Sequence, residues 1–294
     1  MPDYLKNKKL LVTVGHPMEF YQGSRFDHFG NVLQVTFNNK HTFCTTEKSD
    51  RSLLSGIGLM NEFDIDLPQG YNETGVGEYF HKIGVGDLLK QDEQAYNFFR
   101  NYPIRNLDYI LEKEEEDILL YKVKSSNLKS ICVDYQKIIS IHDNELLIEY
   151  FLVNKDTKPL KTSEYTHNFI AINGAELDQD YLLEFNFKLN DGNFEAVHNI
   201  DQYLKIHDRS INFKATPDGD IFIRKLNGTQ IGSWWQLTNT KLGVGVREEV
   251  SFESNLVNLW GNAHVISPEL FFQVELPAGE EVHWWRKYTF FEMK

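Results

Sequence analysis

Short runs of alternating apolar and polar residues follow one another at close spacing through most of the chain, with turn-forming residues between them. Val32–Phe37 alternates with a period of two, and Glu145–Val153 is a longer run rich in β-formers, as is typical of strands. We find no convincing long amphipathic helix and no low-complexity linker among these runs. The pattern therefore predicts an all-β fold, in which residues 1–294 form a single domain, one large antiparallel β-sandwich of many strands.

Residues 47–90 depart from this pattern, because they are rich in glycine and show no regular alternation. A long irregular region inside a compact domain is usually a functional loop or a covering segment. None of its glycines falls in a dinucleotide-binding or P-loop pattern, so we predict no phosphate cradle there.

Composition limits the classes of partner. The chain has 30 basic and 43 acidic residues, and its formal net charge is −13. That balance argues against nucleic-acid binding, which needs clustered lysine and arginine. Cys44 and Cys132 form neither a disulfide framework nor a metal-type spacing, and no apolar run approaches the roughly 20 residues of a membrane span. We therefore expect a cytoplasmic protein that binds neither nucleic acid nor membrane.

The stretch from Ser163 to Gly174 is rich in β-formers, ends at a turn-prone Asn-Gly pair and contains one histidine, His167. On a buried strand, a histidine is either a core side chain with satisfied hydrogen bonds or a proton donor held on a rigid element. Both interpretations stay open from this stretch alone.

Two further charged residues stand in distinctive surroundings. Arg25 lies close to Asp27, and an arginine fork suits bidentate hydrogen bonds to vicinal hydroxyls or to a carboxylate. A structural pair between Arg25 and Asp27 explains the same pattern equally well. Glu269 follows Pro268 at the start of a predicted apolar strand, Leu270–Leu276. Partial desolvation there would raise its pKa and suit it to proton transfer near neutral pH, and the alternative is an exposed glutamate at a strand end.

His81 and Lys82 lie between aromatic residues and a glycine turn. They either contact a ligand or belong to a surface loop anchored by Phe80 and Ile83. Tryptophans are also candidates, because aromatic faces stack on the C–H faces of sugars. We take Trp235 as a candidate substrate contact, with a place in the core as the alternative.

Several short motifs occur in an order that resembles a known family. They are Gly-Ser-Arg-Phe-Asp at 23–27, Lys-Ile-Gly-Val-Gly at 82–86, Tyr-Thr-His-Asn-Phe at 165–169, Ser-Pro-Glu at 267–269 and Trp-Arg-Lys-Tyr-Thr-Phe at 285–290. In order and spacing they resemble the aldose 1-epimerase, or galactose mutarotase-like, superfamily. The resemblance spans nearly the whole chain and implies a large β-supersandwich whose cleft lies on one sheet.

The resemblance also implies roles for single residues. His167 occupies the place of the family's general acid, with Thr166 where the family usually has asparagine. Glu269 matches the general base, and Arg25 matches an early substrate-binding arginine. His81 lies near the place of a second substrate-contacting histidine. The family's further substrate-binding aspartate has no residue that we can match to it.

By this resemblance the protein is expected to be a carbohydrate-active isomerase that interconverts sugar anomers. One acid and one base on opposite sides of the anomeric centre suffice for ring opening and closure, so no metal or organic cofactor is required. The expected substrate is a sugar or a sugar phosphate, for which Arg25, Lys82 and Lys90 would supply positive charge. The alternative is a non-catalytic carbohydrate-binding or sensing protein on the same fold.

Overall fold

The computed structural model describes residues 1–49, 52–126, 128, 131–189 and 194–293. Strands and their connecting loops make up this part of the chain, apart from one 3₁₀ turn, Ile172–Gly174. The strands of the first half are β1 Asp3–Lys6, β2 Leu10–Gly15, β3 Asn31–Phe37, β4 His41–Thr42, β5 Leu59–Phe63, β6 Tyr79–Lys82, β7 Gly86–Leu89, β8 Ile104–Arg105, β9 Tyr109–Glu114, β10 Ile118–Lys124, β11 Val133–His142 and β12 Glu145–Asn154. Those of the second half are β13 Leu160–Asn168, β14 Tyr181–Phe185, β15 Ala196–His198, β16 Leu204–Ile206, β17 Ser210–Phe213, β18 Ile221–Arg224, β19 Gly232–Asn239, β20 Val244–Ser254, β21 Val257–Asn262, β22 Val265–Leu270, β23 Phe272–Leu276 and β24 Glu281–Glu292.

The described strands form four sheets, and their pairings are antiparallel. A seven-stranded sheet has the order β1-β2-β3-β5-β13-β23, with β4 paired to β3. A ten-stranded sheet has the order β16-β17-β14-β19-β20-β24-β12-β11-β10-β9. A four-stranded sheet, β15-β18-β21-β22, and a three-stranded sheet, β6-β7-β8, accompany them. The all-β, antiparallel architecture predicted from the alternation is confirmed.

The structure differs from the expected pattern in two places. Residues 47–90, expected to be irregular, contain β5, β6 and β7. The strand β5 is buried along its whole length, so no alternation of apolar and polar residues marks it. The predicted strand Leu270–Leu276 is divided between two sheets, because β22 ends at Leu270 and β23 begins at Phe272. Glu269 therefore lies near the end of β22, where Pro268 is tolerated because β22 is an edge strand.

The two large sheets face each other across a shared hydrophobic core. Val12 and Val35 of the seven-stranded sheet are buried in the same cluster as Ile139 and Ile148 of the ten-stranded sheet. Each aliphatic side chain buried in this way contributes on the order of 1.5–3 kcal/mol to folding. This core fixes the strands that carry the site residues.

Charged groups also lie buried between these two sheets. The Arg286 guanidinium donates to Glu164 at 2.8 Å and to Glu248 at 2.8 Å. The Lys137 ammonium donates to the Asn61 amide oxygen at 2.7 Å and lies 3.3 Å from Asp27. Buried charges of this kind persist because each has a partner of opposite sign or a polar acceptor.

The strand β13 presents different chemistry on its two faces. Its residues from Glu164 to Asn168 are buried, and successive side chains of a strand point to opposite faces. Glu164 and Thr166 accept hydrogen bonds from the Asn61 amide in the interior between the large sheets. Tyr165 and His167 point to the other face. The strand therefore carries Glu164 and Thr166 on its interior face and Tyr165 and His167 on its outer face.

The described part of the chain contains no helix long and apolar enough to cross a membrane. It also contains no group of three or more His, Cys, Asp or Glu side chains arranged to hold a metal ion.

Candidate active site

His167 lies on the outer face of β13 in an aromatic setting. Its ring stacks on Phe169 with 4.2 Å between centroids, and the Trp260 ring meets it edge-on at 5.1 Å. Phe26 packs against it from a third side at 5.7 Å. The residue is 3 % exposed, and its Nδ1 atom has no hydrogen-bond partner among the described residues. The imidazole is thus held rigidly, and polar contact is left to Nε2.

Glu269 approaches that nitrogen from a different sheet. The end of β13 meets β22 through backbone hydrogen bonds between Ile170 and Ile266, which bring the two strands side by side. One carboxylate oxygen of Glu269, Oε1, lies 3.4 Å from His167 Nε2 and accepts a hydrogen bond from the Ser267 hydroxyl at 3.2 Å. The structure therefore brings the two predicted catalytic residues into direct contact.

Burial shifts the pKa values of this pair in opposite directions. It raises the pKa of Glu269 to about 8, against the lowering influence of Arg25 and of the Ser267 hydrogen bond. Burial also lowers the pKa of His167 well below its ordinary value of 6.5, and the positive charge of Arg25 lowers it further. At neutral pH the pair consequently holds one proton, which lies on Glu269, while His167 is neutral.

Arg25 lies beside the pair and is held by hydrogen bonds of its own. Its Nε donates to Glu62 at 2.8 Å, and its Nη2 donates to the Tyr165 hydroxyl at 3.0 Å. The guanidinium carbon also lies over the Phe26 and Phe98 rings, 4.5 Å and 4.7 Å from their centroids. With 15 % of its side chain exposed, Arg25 keeps one edge accessible.

Glu62, on β5, organises this cluster, and no motif in the sequence marks it. Its fully buried carboxylate accepts from Arg25, from the Tyr165 hydroxyl and from the Lys82 ammonium at 3.3 Å. Burial lowers the pKa of Lys82, while the charge of Glu62 acts against that shift. The signal that could have revealed Glu62 is a strand in which a carboxylate stands among apolar residues. Because residues 47–90 are rich in glycine and show no alternation, β5 was not predicted as a strand, and its carboxylate did not stand out.

Arg25 and Asp27 do not pair with each other. Asp27 is fully buried, and its carboxylate accepts from the Tyr135 hydroxyl at 2.7 Å and faces Lys137. Arg25 instead pairs with Glu62. The two charges, only two positions apart in sequence, therefore serve different parts of the molecule, the interior between the sheets and the site.

His81 and Lys82, adjacent on β6, also point in opposite directions. Lys82 reaches Glu62 and the Tyr96 hydroxyl, so it belongs to the layer behind Arg25. His81 is 1 % exposed, and its Nδ1 lies 3.0 Å from Asp87, which also accepts from Arg105 at 2.7 Å. The structure thus brings Lys82 to the cluster and directs His81 to a separate polar group.

Among the tryptophans, Trp260 rather than Trp235 lies beside His167. Trp235 is fully buried and its indole nitrogen donates to Glu248, on the interior side of the ten-stranded sheet. Trp260, on β21, is only half-buried and contacts the imidazole. The Lys90 ammonium is bonded elsewhere, since it donates to the backbone carbonyls of residues 71 and 74.

No protein-family model matches the chain, and no curated protein matches its sequence. Solved structures match over nearly its whole length. The galactose mutarotase related enzyme from Lactobacillus acidophilus is 14% identical, with 100% of both chains covered and a TM-score of 0.60. The galactose mutarotase-like protein from Lactobacillus casei is 11% identical, with 99% of this chain and 100% of that one covered and a TM-score of 0.63. An aldose epimerase homologue from C. elegans is 10% identical, with 100% of this chain and 99% of that one covered and a TM-score of 0.55. The resemblance found in the motifs is thereby confirmed at the level of architecture: the chain has the galactose mutarotase-like fold.

Proposed function

We propose that the protein is an aldose 1-epimerase-like isomerase that interconverts the anomers of a sugar. The observation that carries this proposal is the contact between His167 and Glu269, with 3.4 Å between Nε2 and Oε1. The two side chains touch, so a bound sugar must part them before they act as acid and base from opposite sides of its anomeric centre. Arg25, held beside them by Glu62, supplies a fixed donor for a sugar hydroxyl.

The reaction needs two proton transfers, and the pair supplies both. In the resting state the carboxyl of Glu269 donates its proton to the ring oxygen, while neutral His167 accepts the proton of the anomeric hydroxyl. The bond between C1 and the ring oxygen breaks, and the open-chain aldehyde forms. Rotation about the bond between C1 and C2, followed by reclosure with the two transfers reversed, gives the other anomer.

This assignment of roles is opposite to the one that the resemblance implies, in which Glu269 is the base and His167 the acid. Both versions use the same two residues and one shared proton. The raised pKa of Glu269 and the lowered pKa of His167 favour Glu269 as the proton donor in the free protein. The cytoplasmic location and the single domain stay predictions from the sequence.

The decisive test is anomer exchange measured by NMR over common aldoses and their 6-phosphates. A positioned proton transfer contributes typically about 10²–10⁴-fold to a rate. His167→Ala and Glu269→Gln are therefore each expected to lower kcat by at least about a hundredfold on any sugar that the wild-type protein converts.

Matched controls are available on the surface. His283→Ala removes a histidine whose side chain is 44% exposed, and Glu275→Gln changes a glutamate that is 70% exposed. Both controls should leave kcat unchanged. Wild-type rates in both site variants would exclude the proposed acid and base.

A second candidate function is sugar binding or sensing without turnover. This function is favoured because Nε and Nη2 of Arg25 already donate hydrogen bonds to Glu62 and Tyr165. Calorimetric titration would then detect a bound aldose, and polarimetry would detect no acceleration of its mutarotation.

A further inference from the structure

The loop that follows β4 carries a carboxylate, Glu47, to the edge of the site. Its backbone N–H donates to the Gly56 carbonyl at 2.9 Å, and its Oε2 accepts from the Gly56 N–H at 2.9 Å. Gly56 in turn lies against Phe169, because a Cβ at that position would stand 2.2 Å from the ring. Glu47 is therefore held through both its backbone and its carboxylate, next to the residue that follows β13.

One nitrogen of the Arg25 guanidinium, Nη1, keeps both of its N–H groups for a ligand. Nε and Nη2 donate to Glu62 and Tyr165, and Phe26 and Phe98 cover part of the group. Within the ranges that the structure describes, Nη1 makes no hydrogen bond. It forms an ion pair with Glu47 Oε1 at 3.7 Å, a separation longer than a hydrogen bond.

The distance between Arg25 Nη1 and Glu47 Oε1 suits one hydroxyl group bound between them. An oxygen placed about 2.8 Å from both atoms accepts a hydrogen bond from the arginine and donates its own to the carboxylate. The two protein atoms are 3.7 Å apart, which is close enough for one oxygen to reach both. The side chain of Glu47 is 19% exposed, which leaves Oε1 reachable from outside.

We propose that Arg25 Nη1 and Glu47 Oε1 form a subsite for a single sugar hydroxyl, and that Glu47 makes the site selective for uncharged sugars. The proposal rests on the proposed function in taking the ligand to be a sugar. Glu47 acts here as a specificity-determining residue, since it touches the bound hydroxyl but takes no part in the proton transfers.

The charges around Arg25 explain the selectivity. A phosphate or carboxylate placed against Nη1 would meet the negative charge of Glu47, and like charges at such distances disfavour binding. The other two cations considered for a sugar phosphate give no compensation. Lys82 is fully buried against Glu62, and Lys90 is bonded to backbone carbonyls.

Glu47→Gln tests the subsite, because glutamine has nearly the same shape without the charge. Binding and turnover of neutral aldoses, aldose 6-phosphates and uronic acids are measured for both proteins by calorimetry and by NMR anomer exchange. Loss of a hydrogen bond to a charged acceptor should raise KM and Kd for neutral aldoses by about tenfold or more. The preference for neutral over anionic sugars should fall by at least a similar factor, while kcat changes little.

The control is Glu149→Gln, which alters a partly exposed glutamate on β12 and should change no constant. Unchanged Kd values and unchanged selectivity in Glu47→Gln would overturn the subsite. Equal weakening for neutral and anionic sugars, together with a lower melting temperature, would show a purely structural role and also overturn it.

The two readouts separate this proposal from the proposed function. Binding of neutral aldoses that depends on Glu47, without any turnover in the wild-type protein, would uphold the subsite and reject the isomerase. Turnover by the wild-type protein with no dependence of KM on Glu47 would reject the subsite alone. Absence of binding of any neutral aldose to the wild-type protein would reject both.

Discussion

At the scale of single residues, His167 and Glu269 are shaped more by what surrounds them than by each other. The imidazole has aromatic rings on several sides, and the carboxyl has hydrogen bonds from Ser267 and Asn258 and a neighbouring cation, Arg25. In such surroundings the charged forms lose hydration that the protein does not replace. Burial therefore keeps Glu269 protonated and His167 neutral near pH 7. Exposure of either side chain to water would move its pKa back toward the ordinary value.

The first prediction at this scale concerns pH. Because the pKa of Glu269 is about 8 and that of His167 lies well below 6.5, the pair holds one proton between these limits. We expect kcat/KM to be flat near neutral pH and to fall about tenfold per pH unit above about 8, where the pair loses its proton donor. An activity that keeps rising up to pH 9 would contradict this assignment.

The sequence singles out residues whose chemistry is visible locally, and their roles stay predictions. Arg25, His167 and Glu269 were singled out from their motifs, and the structure places them together. Glu47 and Glu62 were missed, because each owes its position to a long-range partner in the fold. Their importance lies in a distance to Arg25, which no local pattern encodes.

At the scale of elements, the strand β13 depends on charges that it shares with the ten-stranded sheet. Glu164 receives two donors of Arg286, and the same guanidinium also reaches Glu248 and the Leu270 carbonyl. Leu270 ends β22, the strand that carries Glu269. One arginine of β24 is therefore bonded to both strands from which the proposed acid and base project.

Arg286→Ala should accordingly destabilise the fold strongly. Removing one partner of a buried ion pair typically costs about 3–5 kcal/mol, because carboxylates are left buried and uncompensated. Unfolding in urea, followed by tryptophan fluorescence, measures the change. Lys287→Ala, at the neighbouring and partly exposed position, serves as the control. Equal midpoints for the two variants would refute a structural role for Arg286.

Strands could be predicted from the sequence only where buried and exposed residues alternate. Residues of β3 alternate between buried and half-buried along most of the strand, and the matching alternation in the sequence predicted it. The strand β5 is buried throughout, so its polar residues gave no periodic signal. The break at Phe271 between β22 and β23 was hidden for a related reason, since an apolar run remains apolar when it passes from one sheet to another.

At the scale of the whole molecule, buried carboxyl groups and net charge act on stability in the same direction. Burial raises the pKa of Asp64 to about 7 and that of Glu269 to about 8. Between their unfolded values and these folded values, the folded state binds more protons than the unfolded state. These two carboxyl groups therefore contribute less stability as pH rises through this window, whereas His167 and His28, whose pKa values burial lowers, contribute more as pH rises toward 6.5. The net charge of −13 adds self-repulsion as further acidic groups ionise.

Asp64→Asn should flatten that dependence. Each fully linked proton contributes about 1.4 kcal/mol per pH unit, so the free energy of unfolding of the variant should fall less steeply between about pH 5 and pH 7. Urea denaturation at a series of pH values measures the slope. Asp143→Asn changes an aspartate that is 53% exposed and should keep the wild-type slope. Identical slopes in all three proteins would show that Asp64 ionises freely.

The two-faced strand β13 also has a practical consequence for directed evolution. Tyr165, His167 and Phe169 occupy alternate positions, and the side chains between them belong to the interior. A library at Tyr165 and His167 would therefore alter the outer cluster around Arg25 and Glu62, whereas a library at Glu164 and Thr166 would alter hydrogen bonds between the large sheets. Deletion of one residue in the strand would turn the outward-facing side chains inward and the inward-facing ones outward. Both the site and the interior hydrogen bonds would then be lost.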